Sequence, residues 1–296
     1  KIKEVHITSS VLDKQDKDWK FALMASPQAR GYVVTIEAED GAMGYGYSSA
    51  MPHYGSTLEG VKAALELFRS RMLGQDSRAI AAINDDIDKV LVGNNQAKSG
   101  IDCALHDLKA RRMGVPIYEL FGGASEKTEF PSLRILPIKK PHEMAANARR
   151  LYDKGVRHFK IKVHGDVDED VACVKAIREE VGVEANLTID ANQSYSPKAA
   201  IQALGLMAPF KIDLCEQPVP YGDIRGLKLV TESVPVIVEA DEAAYSLEMV
   251  ATIVRERAAD AVSLKLSKLG GLSRTYAAAK IRSEEHTSEL QSRFGI

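Results

Sequence analysis

The chain has 296 residues, 45% hydrophobic and 27% charged, enough for one large core or two smaller ones. Its 39 Lys plus Arg against 41 Asp plus Glu leave a formal charge of -2, so nothing in the charge balance argues for a basic nucleic-acid surface or for steering of an acidic ligand. Three widely spaced cysteines argue against a disulfide framework, and there is no apolar signal core and no run of transmembrane length, so a cytoplasmic protein without nucleic-acid or membrane partners is expected.

The first third reads as a small α+β unit. "IKEVHITSSVL" alternates as a strand does, and "RGYVVTIEAEDGAMGYGYSS" reads as a hairpin around Asp40-Gly41. Between them lies a loop, roughly Asp16 to Gln28, that carries Trp19, Phe21 and Met24. Helical segments follow at Thr57 to Met72, Ser77 to Val92 and Ala97 to Arg112. The third places Ile101, Ala104, Leu105 and Leu108 on one face and stops at Gly114 and Pro116.

From about Lys127 strands and helices alternate. The strands are "LRILPI", "HFKIKV", "ANLTIDAN", "KIDLCEQP", "PVIVEADE" and "DAVSLKLSKLGG", with a helical stretch between each neighbouring pair. A doubly wound sheet and a (β/α) barrel both fit that alternation. The polar residues near the strand ends separate the two: Lys160 and Lys162, then Asp190 and Asn192, then Glu216, Asp241 and Lys265. From Lys162 onward these recur in steps of 24 to 28 residues, one βα unit each. In a barrel such residues ring one mouth, where that fold places its chemistry. A strand-end carboxylate also serves as an ordinary helix N-cap; the regular recurrence beside lysines favours a site.

Three converging carboxylates repel one another unless a cation joins them. Oxygen ligands without His or Cys favour a hard ion, Mg²⁺ first and Mn²⁺ second. Lys162 and Lys265, four strands apart in an eight-strand ring, are expected to face a bound molecule from opposite sides. A cation beside a lysine favours its neutral, proton-accepting form, and Lys160 or the metal would supply one beside Lys162. Alternation turns Cys215 away from the mouth and into packing.

"KIK" at 160–162, "DAN" at 190–192, "EQP" at 216–218, "ADE" at 240–242 and "KLSKLGG" at 265–271, in that order, resemble the enolase superfamily. The subgroup resembled is that of the muconate-lactonizing enzymes, with mandelate racemase a broader relative. "SGIDCALHDLKARRMGVPIYELFGG" resembles the family's link from capping domain to barrel. The resemblance implies an N-terminal α+β capping domain over 1–126 and a (β/α) barrel of the enolase type over 127–281, incomplete here at about six βα units. It implies Asp190, Glu216 and Asp241 as metal ligands, Lys162 and Lys265 as the acid–base pair, Lys160 in support, and Asn192 and Glu242 nearby. The implied reaction removes the proton α to a carboxylate through an enediolate. Racemisation or epimerisation of an amino-acid derivative is the leading expectation. Dehydration or cycloisomerisation of a hydroxy or diene acid is the alternative. In family members first-domain loops close over the mouth, which points to Trp19, Phe21, Met24, Met51, His53 and Tyr54. Family members also form homo-oligomers.

The run "RSEEHTSELQS" within Arg282 to Ile296 resembles a translated sequencing adapter, so 282–296 is set aside as non-native. On that reading two βα units are missing, and a remnant that keeps the fold without catalysis stands as a further alternative. No phosphate-binding glycine loop supports a nucleotide-binding protein.

Overall fold

The computed structural model describes residues 1–123 and 132–285. The expected boundary at 126/127, and residues 286–296 of the adapter-like tail, lie outside the described residues. In chain order the first elements are β1 (Ile2–Asp13), β2 (Lys20–Phe21), β3 (Met24–Ala25), β4 (Gln28–Ala38), β5 (Met43–Ser49), α1 (Leu58–Met72), α2 (Ile80–Val90) and α3 (Asn95–Met113). Then come β6 (Leu133–Leu136), α4 (Pro141–Tyr152), β7 (His158–Lys162), α5 (Val167–Val181), β8 (Asn186–Asp190), α6 (Pro197–Met207) and β9 (Leu214–Glu216). The series closes with α7 (Ile224–Ser233), β10 (Ile237–Ala240), α8 (Leu247–Glu256), β11 (Ala261–Val262), α9 (Leu266–Leu269) and α10 (Leu272–Glu285). Residues 1–15, 28–123 and 264–280 form one compact unit, and 16–27, 132–263 and 281–285 another.

The first unit is the capping fold. Its sheet has the antiparallel order β1-β4-β5, and the expected turn is present, with Gly41 at φ +82°. Val5, Val34 and Ile36 on the sheet's inner face join Phe68 and Met72 of α1, Ile83 and Ile87 of α2, and Ile101 and Leu105 of α3 in one core. The helix α3 ends where Gly114 takes the left-handed conformation, φ +67°. It lies so close to β5 that a Cβ on Gly46 would stand 1.9 Å from the Gly100 carbonyl oxygen, a backbone atom that cannot swing aside. Gly46→Ala is therefore expected to cost about 1–3 kcal/mol of stability, measured by urea unfolding.

The second unit is a partial (β/α) barrel. Its six parallel strands run in the order β11-β10-β9-β8-β7-β6, each beside its neighbour in sequence. A doubly wound sheet would reverse direction partway, so this order settles the choice left by the alternation alone. Local chemistry sets the helix starts. Asp166, Ser196, Asp223 and Ser246 cap α5, α6, α7 and α8, each side chain accepting a hydrogen bond from the N–H three residues on. At the C-terminal end of α5 the buried Arg178 guanidinium donates to four carbonyls, those of Gly182, Ala185, Phe210 and Lys211. The loop expected at Asp16 to Gln28 contains a small hairpin, β2 with β3.

The sixth strand corrects an expectation. It holds only Ala261 and Val262, and Lys265 stands beyond it as the N-cap of α9 rather than at a strand end. The run "KLSKLGG" closes into a helical turn because Gly270 and Gly271 take φ of +96° and +119°, a region open to glycine.

Ile161, Ile189, Cys215 and Val238 are lateral neighbours across β7, β8, β9 and β10, and all four are fully buried. Cys215 is thus packed, as its alternation predicts. Burial pushes its thiol well up, and pushes that of Cys173 up to about 12. An unfolded thiol ionises near 8.5. The folded chain therefore keeps protons that the unfolded chain releases, and stability present below that pH is lost as pH rises toward 12. Both thiols are expected to resist iodoacetamide at pH 8.5 until urea unfolds the chain; rapid labelling of the native protein would contradict this.

Candidate active site

The register of the barrel strands assembles the site. Lys162 is the lateral partner of Asp190, and Asp190 that of Glu216, so the last residues of β7, β8 and β9 form one row. Lateral partners in a parallel sheet point to the same face. Lys160, two residues earlier, shares that face one rung below. Glu216 is in turn the partner of Glu239, which places Asp241 two residues past the row, beyond the end of β10.

Asp190, Glu216 and Asp241 are 1%, 3% and 1% exposed, and carboxylates this deep require compensation. Lysines supply it. Lys162 Nζ lies 2.5 Å from Asp190 Oδ2 and 2.7 Å from Asn192 Oδ1. Lys160 Nζ is 3.2 Å from Asp190 Oδ2 and also ion-paired to Glu216. The ring of Phe21, in the β2–β3 hairpin, has its centroid 5.4 Å from the Lys162 ammonium.

Asn192 links outward as well, donating from Nδ2 to Glu242 Oε1 at 3.0 Å. The other oxygen of Glu242 is buried without a hydrogen-bond partner among the described residues. Burial first, and the charge of Asp241 next, push the Glu242 carboxyl up. Among the described residues no three Asp, Glu, His or Cys side chains already converge around a cation position. The donor set still fits one: its members are carboxylate oxygens, and a lone buried oxygen stands beside them. That is the ligand chemistry of a hard divalent ion.

Three loop residues next to these groups have left-handed backbones without being glycine: Asn192 (φ +41°), Gln193 (φ +72°) and Gln217 (φ +39°). Such strain persists only where surroundings hold it, and it clusters at functional sites. Gln217, which sequence reasoning did not single out, does much of the holding. Its Oε1 accepts from Asp241 N at 2.9 Å and Ala243 N at 3.0 Å, while its Nε2 donates to Val219 O at 2.9 Å. Asp170 is a second unforeseen residue. It accepts from His164 N, Gly165 N and the Tyr195 hydroxyl at 3.1, 2.9 and 2.6 Å, tying the loops after β7 and β8 to α5. His164 itself sits half-buried, 3.2 Å from Glu169.

The remaining expected residues are distributed as follows. Trp19 and Met24 are half-buried in or beside the small hairpin, whose Lys20 carbonyl accepts from Ile138 N at 3.3 Å. Lys265, in the first unit, has its Nζ 3.4 Å from the Tyr54 hydroxyl, and the Tyr54 ring packs against that of His53 at 4.4 Å.

Comparison with known proteins gives two family models and several similar chains. Residues 4–122 match the model "Mandelate racemase / muconate lactonizing enzyme, N-terminal domain", and residues 143–288 match "Enolase C-terminal domain-like". A hydrophobic dipeptide epimerase of Enterococcus faecalis is 34% identical over 296 residues, covering 100% of this chain and 82% of its own. An L-Ala-D/L-Glu epimerase of Clostridium acetobutylicum is 35% identical over 260 residues, 86% of this chain and 72% of its own. The crystal structure of the Enterococcus faecalis dipeptide epimerase with Mg and the dipeptide L-Leu-L-Tyr superposes with a TM-score of 0.93 at 34% identity, covering 96% of this chain and 80% of that one.

Proposed function

Because the chain belongs to the mandelate racemase / muconate lactonizing enzyme family of the enolase superfamily, we propose that it is a racemase or epimerase acting on the carbon α to the carboxylate of an amino-acid derivative, dipeptides first. The observation that carries the reading is the lysine–carboxylate row: Lys160 and Lys162 set against Asp190 and Glu216 on one face of the barrel strands. Lys162 is the residue that takes or returns the proton. Asn192 and Asp190 fix its ammonium by two acceptors, so its position is defined before substrate arrives. Lys160 keeps positive charge beside it. Lys265 is the second base, a role that rests on its place in "KLSKLGG" and on the match of the whole ordered set.

Asp190, Glu216 and Asp241 would hold Mg²⁺, with Mn²⁺ as a substitute. The ion, when bound, supplies positive charge that lowers the cost of negative charge on the substrate carboxylate. Trp19, Phe21, Met24, His53 and Tyr54 form the set from which substrate preference is drawn. The three free thiols accord with a reducing, cytoplasmic setting; among the described residues no helix is long and apolar enough to cross a membrane. Homo-oligomerisation is part of the same reading.

The test is a panel of dipeptides and N-acyl amino acids, including L-Leu-L-Tyr and L-Ala-L-Glu, incubated with the protein and Mg²⁺ in deuterated water and followed by proton NMR. Loss of the α-proton signal with appearance of the second diastereomer or enantiomer supports the proposal. Turnover of hydroxy or diene acids alone, with no α-exchange on any panel member, would replace it with lyase or cycloisomerase chemistry.

A further inference from the structure

Asn95 and Asp102 are seven residues apart on α3, about two helical turns, and so share one face. Both reach the segment that follows Lys265. Asn95 Nδ2 donates to the Lys268 carbonyl at 2.6 Å. Asp102, fully buried, accepts from Ser273 N at 3.0 Å and from Ser273 Oγ at 2.6 Å, and Asn84 Nδ2 donates to it at 2.7 Å. Between these two grips lies the single turn of α9. The Lys265 carbonyl accepts from Lys268 N and Leu269 N at 3.0 and 3.2 Å, and the Leu266 carbonyl accepts from Gly270 N and Gly271 N, both at 2.9 Å. No slack is left at the far end: a Cβ on Gly271 would stand 2.4 Å from Asp102 Oδ2.

A carboxylate at the start of α10 would need only Ser273 for helix stabilisation. The Asn95 contact is made to a carbonyl of α9. It holds the turn whose first residue is Lys265. We infer that Asn95 and Asp102 are positioning residues for Lys265, setting the place of the second base from α3 rather than from a barrel strand. This rests on the proposed role of Lys265, and it assigns to α3 a share in the stereochemistry of the reaction.

The experiment compares Asn95→Ala, Asp102→Asn and Lys265→Ala with the wild type, each as the full chain with Mg²⁺. The probes are L-Leu-L-Tyr and L-Leu-D-Tyr, and the readouts are α-proton exchange into deuterated water and backbone amide hydrogen exchange. Lys265→Ala identifies the epimer that Lys265 deprotonates. For that epimer, Asn95→Ala and Asp102→Asn are expected to lower kcat about 10- to 100-fold with KM nearly constant. Exchange of the other epimer should stay within about twofold. The amides of Lys268 to Gly271 should exchange faster in both variants. A merely structural role would lower both epimers together, and that result overturns the inference. So does unchanged protection of those amides, a readout that needs no turnover. If Lys265→Ala itself fails to discriminate between epimers, the two-base reading falls, and this inference with it. Should Asp102→Asn not fold, Asn95→Ala and Ser273→Ala carry the same test.

Discussion

Lys162→Ala is expected to abolish α-proton exchange for one configuration of the substrate while the other still exchanges, and Lys265→Ala to give the mirror pattern. Only a base on the side from which the proton projects can remove it, so each lysine serves one configuration. Removing a positioned general base costs about 10²- to 10⁴-fold in rate. Net epimerisation needs both lysines, so it should fall by that factor or more in either variant. Lys162→Arg is the sharper control. It keeps positive charge near Asp190, but a guanidinium does not release its proton in this pH range. If Lys162 acted only through its charge, Lys162→Arg would keep exchange; as the base, it should lose exchange as fully as Lys162→Ala. Loss of exchange with both configurations in both alanine variants would instead favour a one-base lyase.

Asp241→Asn is expected to weaken Mg²⁺ binding by at least about 100-fold, since loss of a supporting residue around a metal already costs about 10- to 100-fold. Asparagine keeps an oxygen in place but gives up the charge, which separates electrostatics from shape. Calorimetric titration with Mg²⁺ reads the affinity directly. Melting curves offer an independent measure: an ion at 100 times its Kd stabilises the folded state by about 2.7 kcal/mol, so wild type should gain melting temperature with Mg²⁺ and the variant should not. Equal titration curves for the two proteins would remove Asp241 from the proposed ligand set.

The parts of this molecule that sequence discloses are those written in local periodicity. Lys160 and Lys162 fall on one face because strands alternate, and the register then sets Lys162 beside Asp190 and Asp190 beside Glu216. The Asp40-Gly41 turn and the amphipathic run through Leu108 were legible for the same reason. Lys265 was misplaced by two short-range facts. The strand before it is only two residues long, and a double glycine after it permits a turn that alternation does not foresee. Gln217 and Asp102 carry no local signature at all. Each acts through partners far along the chain, Asp241 in one case and Ser273 in the other, and separations of that kind are visible only once the chain is folded.

Gln217 gives the second and third carboxylates a shared fate. It follows Glu216 directly, and its one amide oxygen holds the two backbone N–H groups on either side of Glu242, including that of Asp241. The same amide's nitrogen is spent on Val219. A glutamate in its place could not donate to Val219 and would add a negative charge to a crowded set; an asparagine would be one methylene too short. "EQP" and "ADE", separated by more than twenty residues of sequence, are therefore joined through one side chain. Because both groups are backbone N–H, any residue but proline at those two positions could keep the bonds, whereas loss of the Gln217 amide would free the stretch that carries the third carboxylate.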